Sequence, residues 1–392
     1  GKVQIYIKDV KQEQGWREST GNNELIGSAI EQQFGNNISL SDDGYTIAIS
    51  SKERERGVGK VYVYKYDESE PFGNRWVLQV EFIGKGNVND EDNNPLEKLG
   101  LGDIVLNGNG NIIAMTSDRI DDEINDEINE TRTGIKIYER DITQSSGWSL
   151  KGDPISLVSI LEITKGVILS MNNTGDIIII SHKQIYTKVY KYIENIVDGT
   201  DQGEWEQLGS DIVNENLIKQ SQGLNSSINS DGKTIVVLGL DTDNMQSIVQ
   251  VYNYIENIVD GIDQGDWEQL GNDIIIEINV YTPGGEINQS IILSDDGFKI
   301  GLGYSRDNTN GNNAGKVLIF QYDQINNNWF QFGNTFFGDA ESRSGKTIDM
   351  SGDGTKFIFG SFYYNSRTGR ADVYKFFDND ISGLKFLKSS YN

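Results

Sequence analysis

The chain has 392 residues, 59 of them acidic against 34 basic, for a formal net charge of −25. That balance, with no basic cluster, argues against nucleic acid and anionic membrane as partners, because both select a clustered positive face. Cysteine is absent, histidine occurs once and proline four times, which excludes disulfides, thiolate metal sites and a cysteine nucleophile, and no apolar run reaches the roughly 18 residues of a spanning helix.

Plentiful Ile, Tyr and Asn with 44 glycines point to an all-β protein. In chain order, the first element is GKVQIYIKD from Gly1, whose alternation predicts a strand with one face inward, followed by a segment carrying Trp16. A fuller unit begins near residue 25. FGNNISLSDDGYTIAIS (Phe34–Ser50) predicts strand A, a tight Asp-Gly turn and strand B; GKVYVYKYD from Gly59 predicts strand C; the segment at Trp76 predicts strand D. The order recurs in LGDIVLNGNGNIIAMTS from Leu101, GIKIYERD from Gly134 and Trp148. It recurs in GVILSMNNTGDIIIIS from Gly166, TKVYKYI from Thr187 and Trp205, and in GLNSSINSDGKTIVVLG from Gly223, IVQVYNYI from Ile248 and Trp267. Then come INQSIILSDDGFKIGLG from Ile287, GKVLIFQYD from Gly315 and Trp329, and last SGKTIDMSGDGTKFIFG from Ser344, RADVYKFFD from Arg370 and Phe386 in the tryptophan slot.

Four antiparallel strands repeating about every 60 residues predict a β-propeller. Strands C and D occur seven times and the A–B hairpin six times. The expectation is a single propeller domain of seven blades, or of six plus an N-terminal half-blade. The blades fall at 25–82, 83–153, 154–211, 212–273, 274–335 and 336–392, with the half-blade at 1–24. That half-blade reads as the remnant of a longer chain, as a docked hairpin, or as a strand pair for a neighbouring subunit.

One stretch is doubled: YIENIVDGTDQGEWEQLGSDI (Tyr192–Ile212) returns as YIENIVDGIDQGDWEQLGNDI (Tyr254–Ile274), 62 positions on. A blade duplication explains the offset. Strand packing does not require identity through the loop, so Asp198, Asp201, Gln202 and Glu204, with Asp260, Asp263, Gln264 and Asp266, are candidate partner contacts. The ending after the tryptophan reads as strand D plus the step to the next blade.

The unit FGNNISLSDDGYTIAIS…GKVYVYKY…RWVLQ resembles divergent FG-GAP repeats, the integrin-alpha-like propeller type, over nearly the whole chain; SDDG is also similar to TolB- and WD40-like repeats. Only Phe34-Gly35 keeps the Phe-Gly pair intact. The FG-GAP resemblance implies calcium in some Asp-rich turns. Calcium needs six to eight oxygen ligands, whereas Ser41-Asp42-Asp43-Gly44, Ser230-Asp231-Gly232, Ser294-Asp295-Asp296-Gly297 and Gly352-Asp353-Gly354 offer one or two carboxylates each and lack the closing acid. The calcium is therefore not carried over, and no cofactor is expected.

Outside the turns, Asp90, Glu91 and Asp92 are a weak divalent-cation candidate, and the loop Asp118–Glu130 is a second acidic run, most simply solvated. His182 stands alone and reads as structural. No G-x-S-x-G elbow or phosphate-cradling loop is present. The tryptophans read as packing; Tyr304, Tyr363 and Tyr364 read as exposed loop aromatics. Sequons occur at Asn37, Asn129, Asn172, Asn225 and Asn288.

The function expected is a non-enzymatic scaffold, extracellular or on a cell or virus-particle surface, binding a protein or glycan or assembling with copies of itself. The alternative is a polysaccharide hydrolase or lyase using channel carboxylates.

Overall fold

The computed structural model describes residues 1–8, 16–19, 25–27, 33–51, 58–85, 97–118, 133–157, 166–182, 186–212, 225–241, 244–279, 289–376 and 390–391. Phe386, Asp90, Glu91, Asp92, Asn129 and Asn288 lie outside them. Among the described residues the fold is an all-β propeller of six four- or five-stranded antiparallel blades rather than seven. The N-terminal segment forms two separate two-stranded sheets, Lys2–Val3 with Leu25–Ile26 and Tyr6–Lys8 with Trp16–Glu18. With no A–B hairpin to pair against, these strands do not build a seventh blade.

Blade 1 runs Ile38–Leu40, Thr46–Ser51, Lys60–Tyr66 and Trp76–Ile83; blade 2 runs Ile104–Leu106, Ile112–Ser117, Gly134–Arg140 and Trp148–Leu150. Blade 3 is Val167–Met171, Ile177–His182, Tyr186–Ile193 and Glu204–Gln207, and blade 4 is Asn225–Ile228, Thr234–Asp241, Gln246–Ile255 and Asp266–Gln269. Blade 5 is Gln289–Leu293, Lys299–Tyr304, Lys316–Asp323 and Asn328–Gln331, and blade 6 is Ser344–Met350, Lys356–Ser361, Ala371–Lys375 and Ser390–Tyr391. The chain forms two compact units, Gly1–Asp176 with Lys191–Glu206, and Ile177–Tyr190 with Gln207–Asn392. Among the described residues no helix is long and apolar enough to cross a membrane.

The B strands read IAIS, IIAMT, IIIIS and IVVLGL because both of their faces are buried. In Thr234–Asp241, Ile235 and Val237 pack with Ile177, Ile179 and Val189 of blade 3. Val236, Leu238 and Leu240 pack on the other side with Ile300, Leu302 and Trp329 of blade 5. Each such side chain contributes about 1.5–3 kcal/mol by leaving water. The D strand has only its tryptophan side covered, so Trp329 is buried while Asn328, Phe330 and Gln331 are exposed.

The tryptophan lattice has two causes. In blades 1, 3, 4 and 5 a C-strand tyrosine meets the D-strand tryptophan of its own blade: Tyr66–Trp76 at 5.3 Å, Tyr192–Trp205 at 5.3 Å, Tyr254–Trp267 at 5.2 Å and Tyr322–Trp329 at 5.2 Å between ring centroids. The indole Nε1–H then reaches back one blade. Trp205 donates to the Lys151 carbonyl at 2.8 Å, Trp267 to Leu208 at 2.9 Å and Trp329 to Leu270 at 2.9 Å. Each acceptor lies three residues after the tryptophan of the preceding blade. The next residue is always glycine: Gly152, Gly209 and Gly271 have φ of 67°, 71° and 75°. A Cβ on Gly209 would lie 2.8 Å from Trp267 Cδ1. W-x-x-x-G is thus a blade-to-blade joint.

After that glycine the chain does not step to the next blade, as the sequence suggested. Ile274–Glu277 returns to pair with Gln246–Val249, the start of its own strand C. The glycine breaks strand D in two, which brings the carbonyl before it within reach of the following indole.

Two outcomes test this account. Gly209→Ala should cost about 3 kcal/mol of unfolding free energy, combining left-handed strain with the clash. Gly199→Ala, at φ 78° with open space around it, should cost only about 1 kcal/mol; urea denaturation of the two variants checks the difference. The second concerns Asp103, which accepts the Leu169 N–H at 3.0 Å and the Ile104 N–H at 2.9 Å. Burial nevertheless raises its carboxyl from 3.8 to about 6. Between those values the native state holds a proton that the unfolded state has lost, so stability falls as pH rises from about 4 to about 6. Asp103→Asn, which cannot titrate, should flatten that fall in denaturation curves taken across the interval.

Candidate functional site

The doubled loops are two homologous β-hairpins projecting between strands C and D. In blade 3, Ile196–Val197 pairs with Thr200–Asp201; in blade 4, Ile258–Val259 pairs with Ile262–Asp263. Two-residue hairpins of this twist need positive φ at both central positions. Asp198 and Gly199 supply 51° and 78°, and Asp260 and Gly261 supply 52° and 82°.

The base of each hairpin is fixed by one carboxylate. Asp201 accepts the Tyr192 hydroxyl at 2.8 Å, the Asn195 N–H at 3.1 Å and the Gly203 N–H at 2.9 Å. Asp263 repeats this with Tyr254 at 2.9 Å, Asn257 at 3.2 Å and Gly265 at 2.9 Å. Burial would raise the Asp201 carboxyl, but these donors, with Lys151 nearby, outweigh it and hold the carboxyl below its ordinary value. Burial and the Asp201 charge push the Tyr192 hydroxyl well above the usual phenol range. Gly203 passes so close to the Ile193 carbonyl that a Cβ would lie 2.3 Å from its oxygen.

Loop identity therefore has a structural cause. Of the eight candidates, Asp201 and Asp263 fix the hairpin and Asp198 and Asp260 make its turn. Asp266 binds the Ser210 N–H at 2.8 Å and the Ser210 hydroxyl at 2.9 Å. Gln202, Glu204 and Gln264 remain exposed. What the sequence reading passed over is the apolar tip: Ile196, Val197, Ile258, Val259 and Ile262 are all solvent-exposed. An Ile-Val pair reads as strand, and only the projection of the hairpin beyond the blade leaves it bare.

The C–D loops of blades 1, 2 and 5 also carry a bare apolar residue, at differing offsets from the loop start. Phe72 in blade 1 is 54 % exposed, Ile142 in blade 2 is 88 % and Ile325 in blade 5 is 94 %, against 57 % for both Ile196 and Ile258. Each of these shorter loops is held by an aspartate. Asp67 accepts from Ser69 at 2.6 Å, Asp141 from Thr143 at 2.6 Å and Asp323 from Asn326 at 2.6 Å.

The Asp-Gly turns use their carboxylates internally. Asp43 accepts the Tyr45 N–H at 2.9 Å and the Ser41 hydroxyl at 2.5 Å; Asp296 and Asp353 repeat this with Phe298 and Ser294 and with Thr355 and Ser351. The Ser351 hydroxyl and the Thr355 N–H hold the Asp353 carboxyl far below its ordinary range. Successive turns are also linked: Asp42 N–H donates to Gly108 at 2.9 Å and Gly108 N–H to Asn173 at 3.1 Å, while in the other unit Asp295 N–H donates to Gly352 at 3.0 Å. Among the described residues no group of three or more metal-ligating side chains is gathered.

Other expectations meet mixed outcomes. Tyr304 is fully buried rather than an exposed loop aromatic, because it closes a B strand covered on both faces. Tyr363 and Tyr364 are half-buried. His182 is buried at the end of its B strand, and burial lowers its pKa. Asn172 is only 2 % exposed, so this sequon is withdrawn as a glycan acceptor: its side-chain nitrogen donates to Asp176 at 2.8 Å inside a turn. The side-chain nitrogens of Asn37 and Asn225 already donate to the carbonyls of Gly102 and Gln289, each at 3.2 Å.

No family model and no curated protein matches the chain. Solved structures do. A proposed 6-phosphogluconolactonase of Bacteroides uniformis is 12 % identical with a TM-score of 0.53, covering 100 % of this chain and 96 % of that one. A counterpart from Bacteroides fragilis is 13 % identical with a TM-score of 0.49 over 100 % and 95 %. TolB from Acinetobacter baumannii is 12 % identical with a TM-score of 0.40 over 86 % and 62 %. At 12 % identity the likeness to the Bacteroides uniformis protein is one of fold alone, and FG-GAP membership has no family match behind it.

Removing the hairpin clamp should loosen only the hairpin. In Asp201→Ala the Asn195 and Gly203 amides lose an acceptor worth about 1–1.5 kcal/mol each, a roughly tenfold rise in exchange. Amide hydrogen exchange should show that rise at residues 194–203, with the B strands unchanged.

Proposed function

We propose that this chain is a non-enzymatic interaction scaffold, extracellular or on a particle surface, whose C–D loops dock a protein partner. The observation that carries the reading is the recurrence of a bare apolar residue in five successive C–D loops. Phe72, Ile142 and Ile196 lie in one unit, and Ile258 and Ile325 in the other. Single exposed apolar residues are ordinary on protein surfaces. A large one in the C–D loop of each of five consecutive blades, each loop held by its own aspartate, is a pattern.

Rigid presentation matters to affinity. A loop already ordered loses little conformational freedom on binding, so its apolar tip contributes most of its burial free energy. Around the tips lie acidic and amide side chains, among them Asp198, Glu204, Asp260 and Asp266. The chemistry selects a partner with apolar pockets and a basic rim, approached faster for the long-range attraction of a chain carrying −25.

A photoreactive phenylalanine analogue at position 142 or 325 should crosslink one protein species in native extract, whereas the analogue at exposed Gln79 or Glu268 should not. Ile142→Ser and Ile325→Ser should each weaken capture about tenfold while moving stability by under about 0.5 kcal/mol. Equal crosslinking from the control positions would sink the reading.

A further inference from the structure

At the other end of the blade 5 and blade 6 strands, the loops joining B to C and D to A assemble a different chemistry. The D–A loop ending at Ser344 holds two non-glycine residues in the left-handed region, Glu341 at φ 65° and Arg343 at φ 53°. Backbone bonds fix it on both sides. Glu341 N–H donates to Asn312 at 2.7 Å, Arg343 N–H to Asn313 at 2.9 Å, and Tyr363 N–H to the Ser342 carbonyl at 3.2 Å. Strain of this kind persists where the surroundings over-determine a conformation, and it concentrates at ligand clamps.

What the strained loop presents is the Arg343 side chain. Its guanidinium carbon lies 4.1 Å from the Tyr363 ring centroid and 5.6 Å from that of Phe362, and Lys346 Nζ lies 4.8 Å from the Phe362 ring. Arg343 Nε is buried with no hydrogen-bond partner among the described residues. Its neighbours are otherwise paired: Lys316 meets Asp307 at 2.9 Å and Arg370 meets Asp372 at 2.7 Å. In a chain with 59 acidic residues, neither Arg343 nor Lys346 has an acid within ion-pair reach among the described residues.

We propose that Arg343 anchors a binding site for a carboxylated sugar of the uronic-acid type. A guanidinium stacked on an aromatic face keeps its terminal Nη edge for a carboxylate, which it grips bidentately. Lys346 adds a second positive charge beside the exposed Phe362. The adjoining loop brings the exposed amides of Asn310 and Asn312; their nitrogens already donate to the Gly338 carbonyl and the Glu341 carboxylate, which leaves their oxygens as acceptors for sugar hydroxyls. A plain anion would use the charges alone, whereas a uronate uses the charges together with the amide oxygens of Asn310 and Asn312.

The test is titration of the full chain with D-glucuronate, followed by nuclear magnetic resonance. Saturable binding is expected that weakens with added salt, with D-glucose and acetate each binding on the order of tenfold more weakly. Arg343→Ala should weaken glucuronate about tenfold and Arg343→Lys about fivefold, because lysine keeps the charge but not the fork. If Arg343→Ala fails to fold, Arg343→Lys and Lys346→Gln carry the test. Acetate binding as tightly as glucuronate, glucose competing equally, an Arg343→Lys variant unchanged in affinity, or binding only of an acidic peptide would each overturn the proposal. Ile325→Ser should leave glucuronate binding intact, which separates this site from the C–D tips.

Discussion

The hydrogen bond from the D-strand indoles of blades 3, 4 and 5 to the carbonyl one blade earlier is the interaction on which the spacing of those blades depends. It dictates the rest of the D-strand motif. The tryptophan must face the neighbouring blade, the acceptor carbonyl must turn away from its own ladder, and the residue after it must take a positive φ and leave room for a ring. Only glycine meets the last two demands together. The C-strand tyrosine packs against the same indole from within the blade, so one ring is held by two neighbours. Gly, Tyr and Trp recur at fixed places because the joint needs all three.

Around that joint the molecule separates two tasks. Strands A, B and C carry the burial, with B strands covered on both faces. The loops are then free to differ in length, although not free of structure. Each described C–D loop of blades 1–5 contains an aspartate that gathers nearby N–H or hydroxyl groups. These carboxylates are engaged donors' partners rather than open ligands. A chain this acidic thereby spends much of its negative charge on turn geometry.

The two ends of the strands differ in character. C–D loops expose aliphatic tips among acids and amides. In blades 5 and 6 the opposite loops gather arginine, lysine and aromatic rings, against the overall charge of −25. Concentrating unpaired cations in one place of an acidic protein sets a local potential opposite to that of its surroundings, which is how a charged ligand is singled out. The proposed protein contact and the proposed small acidic ligand require no shared residues.

Much of the fold was legible in the sequence because its causes are local. Alternation gave strand C, continuous apolar runs gave strand B, and Asp-Gly between them gave the hairpin. The repeat period then implied a propeller. Blade number was not legible, since two N-terminal strands look alike whether or not an A–B hairpin joins them. The candidate site was half visible. Duplication drew attention to the hairpin loops, but not to the clamp role of Asp201 and Asp263 or to Ile196 and Ile258, whose exposure depends on how far the hairpin projects. Tyr304 was misplaced because a loop and the buried end of a strand look the same in a one-dimensional pattern. Arg343 gave no signal at all: its stacking partners lie about twenty residues away in sequence, and the absence of a carboxylate beside it exists only in space. Sequence alone settled the class of fold, through periodicities that each residue shares with its near neighbours. Tertiary structure decided which side chains are spent on holding loops and which are left for a partner, because that depends on distances between segments that no local pattern encodes.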